Sequence, residues 1–268
     1  MTPKRRESWI RFEASAPGVE WAAAHFAGIA FAPHRHDTYA IGVTTAGVQA
    51  FDYRGEARRA CPGDAFVLHP DELHDGRPGT ADGYGYRIVY VAPDLIGAAL
   101  GGGALPFVAD AVSRDAGLTS AIRRAFPHPS EPPDELLRND AVTALADALR
   151  QACDRSIPDE PNLGVAAMAG VREHLRASVE AGVSMAELER EHGIDRYTLS
   201  RAFRRAYGVS PHRFLILRRL DRVKDDIRRG TNLADAALAA GFCDQAHMSR
   251  HFRGAFGMPP GKWRALLQ

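Results

Sequence analysis

The sequence predicts a multidomain chain: an N-terminal all-β barrel with trailing helices, then a C-terminal all-α unit holding a double helix-turn-helix. Three observations predict it. Short, often alternating apolar segments set off by Gly, Pro or Asp fill the first hundred residues. Helical periodicity with recognisable caps fills the last hundred. Within that last part, DQAHMSRHFRGAFGMPP at 244–260 nearly repeats DRYTLSRAFRRAYGVSP at 195–211.

Composition narrows the class. A chain of 268 residues is long enough for two ordinary domains, and its 45% hydrophobic and 25% charged shares are those of a globular protein. No apolar run approaches the roughly 20 residues that a membrane-spanning helix needs. The start MTPKRRESWIRFE has no apolar stretch behind its basic residues, so it is not read as a secretory signal. Cys61, Cys153 and Cys243 are few, odd in number and scattered, which suggests free thiols in a reducing compartment. A cytoplasmic location is expected. The net charge of +1 hides a division: residues 1–162 carry 16 Lys/Arg against 22 Asp/Glu, and residues 163–268 carry 18 against 11. The basic part holds the repeat, and segregated positive charge points to a polyanionic partner.

The strand-like segments are WAAAHFAGIAF, YAIGVTTAG, VQAFDYRG, DAFVLHP and YGYRIVYVA. Helical patterns follow over 105–126 and 133–155. In the second, Val142, Leu145 and Leu149 form an apolar stripe flanked by Ala141, Ala144 and Ala148. SIPDEPN at 156–162, polar with two prolines, reads as a linker. Beyond it Ser184 and Glu187 form a capping box, and Pro211 follows Ser210 at a first helical position. The expected divisions are an arm at 1–16, the barrel at 17–95, a helical region at 96–155, the linker, and a helical domain at 163–268.

A shift of 49 positions aligns the repeat without a gap, with 8 of 17 residues identical. Two copies are too few for a solenoid. On a helix starting at Asp195, Leu199, Ala202, Phe203 and Ala206 share one face, while Tyr197, Ser200, Arg201 and Arg204 share the other. The second copy buries Met248, Phe252 and Ala255 and exposes Ala246, Ser249, Arg250 and Arg253. Each copy follows a short helix ending at a glycine, Gly193 or Gly241. That is the helix-turn-helix plan, whose second helix enters the major groove. An arginine-bearing outer face alone is more often a solvated surface. The duplication and the positive charge favour DNA.

Residues 163–268 resemble the DNA-binding domain of AraC/XylS-type bacterial transcription regulators, through GFCDQAHMSRHFRGAFGMPPGKWR and LSRAFRRAYGVSPHRFLILRRL. The resemblance implies base contacts by Arg196, Tyr197, Ser200 and Arg201 from the first reading helix, and by Gln245, Ala246, His247 and Arg250 from the second. Ala246 departs from the polar residue usual there, so the second helix is expected to read fewer bases. Arg201 and Arg250 suit bidentate bonding to guanine. Arg204, Arg205, Arg253 and Lys262 suit phosphate contacts, which position without specifying. Phe203, Phe252 and Trp263 are expected in the core.

In the first part HRHDTYAIG, PGD, HPDELH and YRIVYVAP resemble the cupin-like sensor barrel of the same regulators, over residues 17–95. The resemblance implies a small-molecule effector inside the barrel, a homodimer through helices at 134–152, promoter DNA as partner and RNA polymerase as a further one. Phe31, His36, Tyr39 and Tyr86 are the expected pocket residues. His34, His36 and His74 are the alternative, metal-holding reading, but a matching Glu is lacking and Asp37 and Tyr39 stand nearby instead. Simple structural roles for the histidines are the third reading. A metal-dependent cupin enzyme is the rival function. No Ser/His/Asp signature, glycine-rich phosphate loop or CxxC supports catalysis, and neither a cofactor nor a catalytic residue is expected. Alkyl transfer to Cys61 or Cys243 is disfavoured because no sequence neighbour obviously activates either thiol. The arm around Trp9 is expected to fold over the pocket as a switch.

Overall fold

The computed structural model of the chain describes residues 8–28, 31–102, 105–127, 135–153 and 165–267. The chain divides into two compact units, residues 1–158 with 266–268, and residues 159–265. The linker at 156–162 lies outside the described residues.

The first unit runs β1 (Trp9–Ala16), β2 (Val19–Phe26), β3 (Phe31–His34), β4 (Tyr39–Gly47), β5 (Gln49–Tyr53), β6 (Glu56–Ala60), β7 (Ala65–Leu68), β8 (His74–Pro78), β9 (Tyr84–Val91), α1 (Pro93–Ala99), β10 (Val112–Ser113), α2 (Ala116–Arg124) and α3 (Glu135–Gln151). Antiparallel pairing builds one sheet in the order β1-β2-β9-β4-β7-β10 and a second in the order β3-β8-β5-β6. The β5–β6 hairpin turns on Arg54 and Gly55, with φ of 54° and 80°. Two positive φ values in a two-residue loop match the right-handed twist of the strands, and glycine takes one of them without strain.

Strand alternation sorts the six-stranded sheet into two faces. Trp21, Tyr39, Ile41, Val43, Val67, Val89 and Val91 pack with Leu118 and Ile122 of α2 and with Val142, Leu145 and Leu149 of α3. The apolar stripe predicted on α3 is thus spent on the unit's own core. Trp21 Nε1 donates to Ala125 O at 2.7 Å and fixes the end of α2. The opposite face carries Phe26, Phe66, Tyr84 and Tyr86, whose rings meet one another. Gly42 leaves room for the Phe66 ring, since a Cβ there would sit 2.3 Å from it.

Two expectations are corrected. Residues 9–16 are not an arm: β1 is an edge strand paired with β2 from Trp9↔His25 to Ala16↔Val19. Ladder hydrogen bonds with β2 hold it in the sheet. The helix expected over 105–126 starts only at Ala116, where Asp115 caps it by accepting from Leu118 N at 2.7 Å. Before that, Val67 N donates to Ala111 O at 2.9 Å and β10 pairs with β7, so the segment serves as sheet edge. Helix α1 follows β9 directly, opening on Pro93.

The second unit is helical: α4 (Val165–Ala177), α5 (Met185–His192), α6 (Arg196–Tyr207), α7 (Pro211–Arg228), α8 (Leu233–Ala239), α9 (Gln245–Phe256) and α10 (Pro260–Leu266). Ser184 and Glu187 make a reciprocal capping box on α5, and Ser210 caps α7 with Pro211 at its first position. Leu199, Phe203 and Tyr207 of α6 are buried with Met168, Val171 and Leu188. Met248, Phe252 and Ala255 of α9 are buried, with Phe252 against Trp263 at 5.8 Å between ring centroids.

Candidate functional site

Each reading helix begins at an aspartate. Asp195 accepts from Tyr197 N and Thr198 N at 3.1 Å each, and Asp244 accepts from His247 N at 2.6 Å. Hydrogen bonds from Thr198 to Asp195, and from the His247 backbone to Asp244, hold both carboxyls below the usual aspartate range. In front of each helix a glycine takes the left-handed turn, Gly193 at φ 65° and Gly241 at φ 83°. Helix α7, 18 residues long, joins the two motifs and spans about 27 Å at 1.5 Å per residue.

The outer faces differ in availability. Arg196 and Tyr197 are exposed and Ser200 is half-buried. The Arg196 guanidinium is paired with Glu189 of α5 at 2.8 Å, and its backbone N–H also bonds that carboxylate. Arg201 is exposed and lies over its own helix, with Nη2 3.3 Å from Thr198 Oγ1. On α9, Gln245, Ala246 and Arg250 are exposed. His247, expected at a base, is half-buried between neighbours: its Nδ1 lies 3.0 Å from Cys243 Sγ and its Nε2 3.0 Å from His251 Nε2. Arg204, Arg205, Arg253 and Lys262 are all exposed. The i,i+4 spacing of Cys243 and His247 was the sequence signal for that contact.

In the barrel, Phe31, His36 and Tyr86 lie with the inner-face aromatics. Phe31 meets Phe26 edge-on at 4.6 Å, Tyr86 meets Phe66 at 5.8 Å, and His36 meets Tyr90 at 5.7 Å. Tyr39 is the exception. It packs on the helix side of the sheet and its hydroxyl donates to Pro106 O at 2.8 Å, because odd-numbered positions of β4 face the helices. Among the described residues, two polar atoms of the inner face have no hydrogen-bond partner, Thr44 Oγ1 and Tyr84 OH, although both residues are buried. The period of YGYRIVYVA was the signal for Tyr84 and Tyr90.

His34, His36 and His74 do converge, with ring centroids 4.3 Å apart for His34–His74 and 4.8 Å for His36–His74. Each Nδ1 lies 2.9 Å from a main-chain carbonyl oxygen two residues away, which places the proton on Nδ1. Burial pushes the His74 imidazole down and keeps it neutral. Among the described residues, no group of three or more His, Cys, Asp or Glu side chains is placed to hold a metal ion. A further histidine, His69, sits elsewhere in the unit. Its Nδ1 lies 2.8 Å from Tyr53 OH, and its Nε2 accepts from Val108 N at 3.0 Å. Burial, then the Arg54 charge, lowers it to about 3.

Comparison with known proteins follows this division. Residues 16–161 match the family model described as the AraC-like ligand binding domain. The chain belongs to the AraC family. Residues 188–266 match a helix-turn-helix domain. With both domains, this AraC-family chain is a ligand-responsive, DNA-binding transcription regulator. It is 29% identical over 248 residues to the HTH-type transcriptional regulator YbfI of Bacillus subtilis (strain 168), covering 87% of each. In fold it is similar to ToxT from Vibrio cholerae, with a TM-score of 0.66 and 11% identity over 94% of this chain and 99% of ToxT. A ToxT structure with bound unsaturated fatty acid gives a TM-score of 0.62 at 10% identity, over 100% of this chain and 98% of ToxT. No helix among the described residues is long and apolar enough to cross a membrane.

Proposed function

We propose that this regulator binds promoter DNA with α6 and α9 in successive major grooves and takes a small organic effector between its two sheets. The observation that carries the DNA reading is the matched placement of Arg201 and Arg250. Each is exposed, and each stands six residues after the aspartate that caps its helix. Arg196, Tyr197, Ser200, Gln245 and Ala246 complete the base-facing set, and Arg204, Arg205, Arg253 and Lys262 hold phosphates. His247 keeps its place at the edge of that set. The protein acts in the cytoplasm as a homodimer through the outer side of α3, engages RNA polymerase at the promoter, and catalyses no reaction.

For the effector, the support is chemical. Aromatic rings around two unpartnered hydroxyls suit an organic body carrying a hydrogen-bonding group, since a buried hydroxyl left unbonded is costly. Phe31, His36, Tyr84 and Tyr86 are its contacts. The unsaturated fatty acid bound in a ToxT structure is consistent with an organic effector. A metal in the effector's place is the second reading: the three histidine rings converge, but among the described residues no group of three or more such side chains is placed to hold an ion.

Selection of duplexes from a random-sequence library by the full chain tests the DNA reading. Enrichment of sites with two blocks about 10 base pairs apart is expected; no enrichment would overturn it. Metal analysis of protein purified without chelator separates the barrel readings. One equivalent of a transition metal, lost in His36→Ala, would replace the organic effector by a metal.

A further inference from the structure

The turn of the second helix-turn-helix holds a feature that DNA reading does not use. Cys243 is exposed and lies immediately before Asp244, the cap of α9. Its sulfur is 3.0 Å from His247 Nδ1, and His247 Nε2 is 3.0 Å from His251 Nε2. A second polar neighbour of the sulfur is Asp244 Oδ2, at 3.8 Å. The three side chains therefore form a line: thiol, imidazole, imidazole. Spacing of i and i+4 along α9 stacks His247 and His251, with ring centroids 4.7 Å apart, and the turn before the helix drops Cys243 onto the near end. Both histidine rings also meet Phe242, which fixes them from below.

A nucleophile within hydrogen-bond reach of a base, with that base oriented by a third group, is the arrangement that activates thiols in enzymes. Here the base is His247 and the orienting group is His251. Burial first, and then the positive neighbours His247, Arg213, His212 and Arg250, disfavour protonation of His251. A neutral His251 accepts the Nε2–H of His247, leaving Nδ1 to take the thiol proton. Cys61 is also exposed, but it meets its own turn through its main chain, its N–H donating to Asp64 Oδ2 and its carbonyl accepting from Asp64 N, so it supplies an internal control.

We propose that Cys243 is a thiol-modification site, oxidised by hydroperoxides through the His247–His251 pair, and that its oxidation releases DNA. The thiol proton passes to His247 Nδ1, and the sulfur attacks one peroxide oxygen. An S–O bond forms as the O–O bond breaks, and the departing alkoxide or hydroxide takes the proton back from His247. Sulfur gives up two electrons and the peroxide gains them, so thiol and hydroperoxide become sulfenic acid and alcohol or water. The new S–OH stands at the entrance of α9, where it crowds the DNA backbone. The release part rests on the DNA reading above.

One equivalent of hydrogen peroxide, a sulfenic-acid trap and peptide mass mapping of the full chain test the chemistry. Cys243 is expected to be trapped at least about ten-fold faster than Cys61, and His247→Asn and His251→Gln to erase that advantage. Equal trapping of Cys243 and Cys61 overturns the proposal. DNA affinity is measured separately, on a duplex selected with reduced protein. Oxidation is expected to weaken binding about ten-fold, the scale of one lost contact, and Cys243→Ser to keep reduced-state affinity and lose the peroxide response. Trapping at Cys243 with unchanged affinity overturns the release while leaving the DNA reading intact. Reduced protein that selects no duplex overturns the DNA reading and release together, and the trapping rates still judge the thiol.

Discussion

The two helix-turn-helix motifs share a frame and differ in what fastens it. In both, an aspartate caps the reading helix, a left-handed glycine precedes it, and a phenylalanine buried at 0% exposure, Phe203 or Phe252, anchors it. The first motif braces its turn with an ion pair, Arg196 to Glu189. The second braces it with the line from Cys243 through His247 to His251. The shared residues include those a helix pair needs in order to fold, Asp195/Asp244, Phe203/Phe252 and Gly208/Gly257, and also the exposed arginines Arg201/Arg250 and Arg204/Arg253. The exposed residues that open each helix differ, Arg196 and Tyr197 in the first against Gln245 and Ala246 in the second.

The sharpest way to break the equivalence is through the anchors. Phe203→Ala and Phe252→Ala are each expected to cost about 3–5 kcal/mol, since both leave a cavity in a packed core. Chemical denaturation checks this, and a clear inequality would mean that the motifs are not equally supported. Next come the arginines. Arg201→Ala and Arg250→Ala should each weaken binding by roughly 1–3 kcal/mol and relax the preference at one base. Titration on selected and random duplexes separates the roles, because equal losses on both would make that arginine a phosphate contact.

Acid should separate the motifs in time. His251, in the second, is depressed by burial, so its stability is complete above about pH 6.5 and drains as pH falls, when the unfolded chain takes up the proton. Glu187 and Asp195, in the first, are depressed by hydrogen bonds from Ser184 and Thr198, so their contribution is complete above their ordinary values of 4.5 and 3.8 and is lost below them. Amide exchange against pH should therefore show α9 loosening before α6, and simultaneous loosening would contradict the assignment. The smallest effect concerns Glu189. An exposed ion pair contributes about 0.2–1 kcal/mol, so Glu189→Gln should scarcely change stability. If the pair restrains Arg196 from its base, the same change raises DNA affinity severalfold in a titration; no change would leave Arg196 a brace.

Much of the second unit was legible in the residues. Helix caps and buried faces depend on neighbours within four positions, so Ser184 with Glu187, Asp195, Pro211, Phe203 and Phe252 declare their roles locally. The contacts of the His247 ring with Cys243 and His251 were not foreseen: the family resemblance set His247 at a base and says nothing of its neighbours. In the first unit the strands were visible as alternation, but their partners were not. Pairing across a sheet joins distant segments, and so 9–16 passed for an arm and 105–113 for helix.

Composition and periodicity alone determined that this chain has an acidic β-rich part and a basic helical part with a duplicated reader. Those are sums and near-neighbour patterns, which survive without knowledge of the fold. Tertiary structure decided which side of each strand looks inward. It turned Tyr39 toward Pro106, left Thr44 and Tyr84 without a hydrogen-bond partner among the described residues, and brought together the rings of His34 at the end of β3, His36 just after it and His74 of β8. The physical reason is register: in a sheet every second residue changes face, and only the pairing of distant strands fixes which ones meet.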